Sequence, residues 1–169
     1  MSQYLNEIVN ALNRIETEEA QKLAQAAQMV ADTICNDGLI FTFGCGHSHL
    51  PGLDAFYRAG GLANVSPMLD TDLMLHNGAA KSSRMEKMSG IAAEVFRRYT
   101  LTEKDMLFVF SASGKNQVPV EMAQAAAQAG IRTVGISSSA YYEKGGKLHQ
   151  FVLYPHGCPI SKWYLNGLV

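Results

Sequence analysis

Apolar side chains recur every three or four positions through the first 36 residues, with polar side chains between them. This is the spacing of one helix face, so residues 2–36 are predicted to form one long helix or two helices in line. Ser2 can cap the helix and Gly38 follows its end; the stripe breaks at Glu19, so a kink or a short join is expected near Thr17 to Glu19. We expect the stripe to cover a central sheet; a seam between two copies of the chain is the alternative. Its members are Leu5, Ile8, Leu12, Ile15, Leu23, Ala27, Val30 and Ile34.

Short apolar runs after this helical segment are typical of buried strands. They cover residues 38–43, 65–69, 105–110, 131–136 and 151–154. Amphipathic stretches between them predict helices, at residues 49–59, 85–99 and 119–129. Leu53, Phe56 and Tyr57 are expected to face inward. The alternation of strands and helices predicts an α/β fold with a parallel sheet covered on both faces, and ligands of such sheets bind at the carboxyl ends of the strands.

Composition and charge narrow the class of protein. The 169 residues suffice for one domain, and 47% hydrophobic with 17% charged residues can fill a packed core. The net charge of −1, without a basic stripe, makes nucleic acid and anionic membrane poor partners. No apolar run reaches the roughly 20 residues of a membrane helix. An N-terminus without a signal core and three widely spaced cysteines predict a cytoplasmic protein with reduced thiols.

Two loops carry the candidate chemistry. GCGHSH (residues 44–49) follows the first predicted strand, and SASGKN (residues 111–116) follows the third and opens a helix. The ends of two strands in one parallel sheet point the same way, so both loops can line one crevice. Glycines allow a close backbone approach, hydroxyl groups donate hydrogen bonds, and the first amides of a helix attract anions. The pair of loops therefore predicts a phosphate site.

A dinucleotide site and a metal site are the alternatives for the first loop. Gly44-x-Gly46 is part of a dinucleotide fingerprint, but His49 stands at the third glycine position. Asp70 lies roughly where a ribose-binding acid would belong, so this alternative stays open. His47 and His49 would need a third ligand, such as His76 or Cys45, to hold zinc. Cys45 as a nucleophile would need a base and an oxyanion site, and a buried thiol is the simpler interpretation.

The two loops resemble the phosphate-binding loops of sugar isomerase (SIS) domains. More narrowly, GHSHL, FYRAGGLA, LMLH, KSS and VPVEMA are similar to a group of stand-alone SIS proteins. The resemblance covers nearly the whole chain. It implies a single SIS domain over residues 1–169, with a helical segment at 1–36 and a sheet core at 37–169. It also implies a three-layer α-β-α sandwich around a five-stranded parallel sheet, flavodoxin-like and commonly dimeric.

The resemblance further implies which residues bind a sugar phosphate. Ser48 matches the serine of the family's first loop, and Ser111 and Ser113 match those of its second. Asn116 stands where many members have threonine, so that donor is changed in type. The predicted substrate-binding residues are Gly46, His47, Ser48, Ser111, Ser113, Gly114 and Asn116. We expect no metal, no cofactor and a homodimer.

Two functions follow from the resemblance: an aldose–ketose isomerase of carbohydrate phosphates, and a phosphosugar sensor without chemistry. Isomerisation through an enediol needs a base beside the carbonyl and a group that moves protons between oxygens. We predict Glu86 as the base and His76 as the proton shuttle, with His47 and Asp54 in reserve. Asp54 and Arg58 are four residues apart on a helix, so they can also form a plain ion pair.

The end of the sequence departs from the family's pattern. SIS proteins usually carry a long helix after the last strand, and residues 161–169 (SKWYLNGLV) amount to barely two turns. We therefore expect the natural reading frame, or that of a close relative, to continue past Val169 into a helix.

Overall fold

The computed structural model describes residues 2–138, 141 and 144–150, and its first elements are two consecutive helices. α1 (Gln3–Glu18) begins at Ser2, and α2 (Ala20–Cys35) follows a one-residue break at Glu19. The predicted interruption at Glu19 is confirmed. Glu19 is 2% exposed, and its carboxylate pairs with Lys22 at 2.5 Å, so the break is a buried, ion-paired position.

The two helices use the apolar stripe differently. Met29 of α2 is buried against the sheet, as predicted for a covering helix. α1 has no buried residue, and several of its apolar side chains are exposed. They are Tyr4, Leu5, Val9 and Leu12. The stripe therefore covers the sheet only through α2, and the expectation that all of it does so is wrong for α1.

The sheet has four parallel strands in the described part of the chain. They are β1 (Ile40–Gly44), β2 (Val65–Pro67), β3 (Met106–Phe110) and β4 (Arg132–Ile136). Their spatial order is β2-β1-β3-β4, with Ile40 opposite both Val65 and Met106. The predicted parallel sheet is confirmed. The predicted fifth strand at residues 151–154 and the expected helix at the chain end lie outside the described residues.

Helical elements connect the strands. Two α-helices, α4 (Ala79–Met85) and α5 (Ile91–Arg97), lie between β2 and β3. A 3-10 turn at Gly46–His49 runs into α3 (Leu50–Ala55) after β1, and α6 (Gln117–Gln128) joins β3 to β4. Shorter 3-10 turns occur at Leu75–Asn77 and Leu148–Gln150. Among the described residues, no helix has the length and apolar content to cross a membrane.

Alternate residues of the strands point to two cores, one on each face of the sheet. Phe41 and Leu107 pack with Val95 and Ala123 of the crossover helices α5 and α6 on one face. On the other face, Ile40, Met106 and Val134 pack around Met29 of α2. Because successive strand residues face opposite sides and both faces are covered, β1 and β3 are mostly apolar, and the one hydroxyl residue of β1, Thr42, is buried with them. The result is the three-layer α-β-α sandwich, an α/β fold with a parallel sheet.

α3 is shorter than the predicted helix at residues 49–59. It ends at Ala55, because Phe56 is extended (ψ 137°) and Tyr57 adopts a positive φ of 51°. Both rings, expected to face inward, are exposed, Tyr57 to 94%. The prediction is wrong here because the chain leaves the helix one residue before the aromatic pair. Helical spacing no longer decides which side these rings face.

The predicted continuous helix at residues 85–99 is also wrong. α4 ends at Met85, and α5 begins only after Gly90, which has φ 86° and ψ −18°. The amphipathic pattern of Ile91 and Val95 belongs to α5 alone. The left-handed conformation of Gly90 starts α5 in a new direction, because such a residue interrupts a right-handed helix.

Candidate functional site

The first loop folds tightly back on the end of β1. A Cβ atom built on Gly44 would lie 2.2 Å from the backbone oxygen of Ser48, so only glycine fits there. Gly46 has φ 56°, and its N–H donates to the carbonyl oxygen of Leu73 at 2.8 Å. These two glycines let the 3-10 turn at Gly46–His49 double back, which places Ser48 above the end of the strand.

The serine hydroxyl oxygens of the second loop accept hydrogen bonds from backbone N–H groups, which leaves the hydroxyl protons for a ligand. Ser111 Oγ accepts the N–H of Gly114 at 3.1 Å, and Ser113 Oγ accepts the N–H of Lys115 at 3.3 Å. A serine hydroxyl has one proton as well as its acceptor lone pairs. Since both oxygens already accept from the backbone, their protons are left to donate to a ligand.

Two carbonyl groups of the second loop accept hydrogen bonds from residues that follow β4. Ala112 accepts the N–H of Ser138 at 2.9 Å, and Gly114 accepts the N–H groups of Lys147 at 2.7 Å and Leu148 at 3.1 Å. Gly114 has φ 58° and packs closely against Leu148. Two carbonyl groups of the loop are thereby paired with backbone N–H groups of the protein.

The two loops open onto one cavity of about 150 Å³. Its lining residues are Cys45, Ser48, Glu86, Phe110, Ser111, Ala112, Ser113, Asn116, Pro119 and Tyr141. Five predicted site residues meet here: Ser48, Glu86, Ser111, Ser113 and Asn116. Pockets for whole small molecules usually measure about 300–1,000 Å³. This cavity therefore suits one compact group, such as a phosphate, with the remainder of a ligand extending outside it.

The N-terminal end of α6 closes one side of the cavity. Asn116 stands at the capping position but makes no side-chain cap hydrogen bond, so its amide is available to a ligand. The N–H of Val118 is already used, because it donates to the carbonyl oxygen of Glu86 at 3.0 Å. The positive end of the helix dipole adds to the attraction of an anion at this place.

Glu86 and Cys45 set the electrostatics of the cavity wall. Glu86 is half-buried and is the one charged side chain among the described residues that line the cavity. Burial raises the pKa of the Cys45 thiol well above its ordinary value, and the carboxylates of Glu86 and Asp70 add to the effect. Cys45 is therefore a neutral thiol, which favours the interpretation of a buried side chain over that of a nucleophile.

The structure does not bring His76 to the cavity wall. His76 is exposed, and its ring packs edge-to-face on that of His49, with ring centroids 5.5 Å apart. His49 is 4% exposed; its Nδ1 contacts the carbonyl oxygen of Gly46, so Nδ1 carries the proton. His49 Nε2 is buried, without a hydrogen-bond partner among the described residues. His47 is exposed and is not among the lining residues.

The remaining candidates are engaged elsewhere. Asp54 forms an exposed ion pair with Arg58, Oδ2 to Nη1 at 2.5 Å, as their four-residue spacing allows. Asp70, considered as a ribose ligand, pairs with Arg98 at 2.7 Å and accepts the N–H of Asp72. In residues 2–138, 141 and 144–150, no three His, Cys, Asp or Glu side chains are grouped to hold a metal ion.

The sequence did not assign Tyr141 to the site, and it predicted Cys45 as a buried thiol without placing it in the cavity wall. Tyr141 reaches the cavity because the chain after β4 returns to the second loop, where Gly146 approaches the backbone oxygens of Ser113 and Tyr141. No spacing in the sequence indicates that return. The available signal was a third strand end followed by hydroxyl residues, at Ser137 and Ser138.

Comparison with known proteins identifies the family. A family model described as a SIS domain matches residues 3–138, which is most of the chain. The chain belongs to the SIS domain family. A UPF0309 protein of Geobacillus kaustophilus is 39% identical over 150 residues, covering 89% of this chain and 60% of its own. A UPF0309 protein of Thermoanaerobacter pseudethanolicus is 37% identical over 149 residues, covering 87% and 60%. This SIS chain thus spans about 60% of the length of these relatives.

Solved structures share the fold of this SIS domain. The phosphoheptose isomerase GmhA of Neisseria gonorrhoeae superposes with a TM-score of 0.66 at 17% identity, over 96% of this chain and 81% of that one. A phosphoheptose isomerase of Francisella tularensis gives a TM-score of 0.60 at 15% identity, over 100% and 87%. At such low identity the likeness concerns the fold alone.

Proposed function

We propose that this SIS domain binds a sugar phosphate, with the phosphate in the cavity between its two loops. The observation that carries the proposal is that Ser48 of the first loop and Ser111, Ser113 and Asn116 of the second line one cavity. Hydroxyl protons, a free amide and the α6 N-terminus all meet there. Gly46 and Gly114, both with a positive φ, give the loops their shape, and His47 is an exposed residue of the first loop.

Binding is tested by titration calorimetry with a panel of sugar phosphates, the unphosphorylated sugars, NAD and nucleotides. A hydrogen bond to a charged group contributes about 1.5–3 kcal/mol, so Ser113→Ala should weaken sugar phosphate binding about tenfold or more. Ser111→Ala/Ser113→Ala should weaken it further. Ser83→Ala, an exposed serine on α4, is the matched control and should bind like the parent. Unchanged affinity in the double variant would place the ligand elsewhere.

We further propose that the bound sugar undergoes aldose–ketose isomerisation with Glu86 as the base. Glu86 lines the phosphate cavity, so it stands near the part of a sugar that extends from it. The assay is proton–deuterium exchange at C2 of an aldose phosphate in D₂O. Glu86→Gln should abolish exchange while leaving the phosphate bound. Exchange at the parental rate in Glu86→Gln would remove Glu86 from this role.

The second candidate function is that of a phosphosugar sensor without chemistry. It is favoured by the placement of His76, which packs on His49 and not on the cavity wall. Binding without C2 exchange for every sugar phosphate in the panel would select this function. If exchange occurs, a second group must move a proton between the two oxygens of the enediol. The variants His76→Asn, His47→Asn and Asp54→Asn test in turn which side chain does so.

A homodimer in the cytoplasm completes the proposal. The exposed apolar face of α1 supports self-association, and the odd, widely spaced cysteines support a reducing compartment. The relatives are longer than this chain, so what is said here of the activity and partners of a full-length protein is also a proposal.

A further inference from the structure

The described residues that line the cavity carry no positive charge to match the ligand that the site is proposed to bind. A phosphate group carries about −1.5 to −2 charges at neutral pH. Among the described lining residues the charged one is Glu86, which is negative. Serine hydroxyls, an amide and a helix end supply partial charges, but they do not neutralise a dianion beside a carboxylate. A cation close to this wall would complete the site.

Lys115 is placed to supply that cation. It lies in the second loop between the phosphate-binding positions Ser113 and Asn116, and its ammonium Nζ sits 5.4 Å from the centre of the Tyr141 ring. Tyr141 is itself part of the cavity wall. The ammonium therefore rests on a lining side chain, in a cation–π contact. An exposed lysine that simply pointed into solvent would have no such contact.

We infer that Lys115, held on the ring of Tyr141, is the counter-charge of the phosphate site and selects dianionic ligands. This inference rests on the proposed sugar phosphate function. The start of the Lys115 side chain is fixed beside the site, because its own N–H donates to Ser113 Oγ at 3.3 Å. Its four-carbon stem is flexible, so by side-chain rotation the ammonium can extend to the phosphate while the stem keeps its contact with the ring. A full negative charge attracts an ammonium more strongly than the face of an aromatic ring does.

Lys115→Gln tests the charge, with Lys115→Arg as the charge-conserving variant. Calorimetry with inorganic phosphate and with the best sugar phosphate should show affinity falling about tenfold in Lys115→Gln, the effect of losing one charged hydrogen-bond partner. Lys115→Arg should keep most of the affinity. The salt dependence of binding should become flatter in Lys115→Gln, because one fewer ion pair is screened. Lys104→Gln removes an equal charge just before the first residue of β3, at the end of the strand away from the cavity. It should change neither the affinity for phosphate nor its salt dependence.

A variant of Tyr141 tests the contact between its ring and the Lys115 ammonium. Tyr141→Leu removes the ring face, so it should weaken phosphate binding and lessen the further effect of Lys115→Gln. Circular dichroism melts verify that each variant is folded. If the parent binds sugar phosphate and Lys115→Gln binds it within twofold, with the same salt dependence, the inference is wrong and the proposed function stands. If the parent binds no sugar phosphate, the proposed function fails and the inference fails with it.

Discussion

The thiol of Cys45 shows how burial decides the chemistry of a single side chain. It follows Gly44 directly, is 6% exposed, and faces the same cavity as Ser48 and Glu86. Cysteines react as thiolates, and both desolvation and neighbouring carboxylates disfavour the negative form. The pKa of Cys45 is raised for these reasons. The position of Cys45 in the sequence makes it a candidate nucleophile, but its surroundings in the fold keep the thiol neutral.

We predict that Cys45 resists alkylation in the folded protein. In a Cys35→Ser/Cys158→Ser background, iodoacetamide at pH 8 should label Cys45 at least about tenfold more slowly than the same chain unfolded in urea, since a raised pKa leaves little thiolate. Cys35, which is exposed, provides the comparison when it is the remaining cysteine. Labelling of native Cys45 as fast as that of Cys35 would revive the nucleophile hypothesis.

At the residue scale, the sequence predicts site members that depend on strand ends and misses those that depend on distant packing. Ser48 and Ser111 follow buried strands, and the carboxyl ends of parallel strands share one edge, so their meeting could be predicted. Tyr141 lines the cavity although it lies far from both loops in sequence. His76 packs on His49 and does not line the cavity. Both placements depend on contacts between segments far apart in sequence, and local spacing carries no record of them.

At the element scale, the break between α4 and α5 follows from where two backbone groups find their partners. In a continuous helix the carbonyl of Glu86 would accept the N–H of Gly90, four residues on. Instead the Glu86 carbonyl accepts the N–H of Val118, and the Gly90 N–H donates to Glu121 Oε2 at 2.8 Å. Both of these hydrogen-bond partners, the Val118 N–H and the Glu121 carboxylate, belong to α6. The amphipathic pattern of residues 85–99 could not reveal this, because the competing groups come from another helix.

We predict that Gly90→Ala destabilises the protein, although alanine is the better helix former. A left-handed conformation costs a residue with a Cβ about 1–2 kcal/mol, so the free energy of unfolding should fall by about that amount. The residue has nothing within 4 Å of an added Cβ, so a clash does not confuse the result. Urea denaturation measures the change. Ser83→Ala, at an exposed position of α4, is the control for helix propensity and should raise the free energy of unfolding slightly, because alanine is the better helix former.

If Gly90→Ala raised stability instead, α4 and α5 would join into the single helix that the apolar pattern suggests. The phosphate titration separates the two outcomes further. The break carries the Glu86 carbonyl to the start of α6 and the Glu86 side chain to the cavity. A variant that closes the break should therefore also alter phosphate binding, and one that is merely strained should not.

At the scale of the whole molecule, the strand order explains why the cavity lies between these two loops. The chain passes from β1 to β2 on one side and then crosses to β3 on the other, giving the order β2-β1-β3-β4. Loops that leave β1 and β3 therefore diverge at this point and open a crevice at the edge of the sheet. The alternation of short apolar strands with helices predicts only that the site lies at the carboxyl ends of the strands. The order itself came only from the structure.

The apolar face of α1 gives the last prediction, that the chain forms a homodimer. Tyr4 is 72% exposed, Leu5 48% and Leu12 52%, and no residue of this 16-residue helix is buried. A soluble protein seldom leaves such a continuous apolar face uncovered, and a second copy of the same helix is a matching surface. Light scattering at tens of micromolar should give twice the chain mass of 18.4 kDa.

The interface is tested by charging the helix face. Leu5→Glu/Leu12→Glu should give monomers, because like charges would meet across a symmetric contact and the apolar burial would be lost. Met88→Glu, at a residue 52% exposed outside α1, is the matched control and should remain dimeric. A parent chain that runs as an 18.4 kDa monomer would show that the homodimer prediction is wrong. Dissociation by Met88→Glu as well would place the contact away from α1.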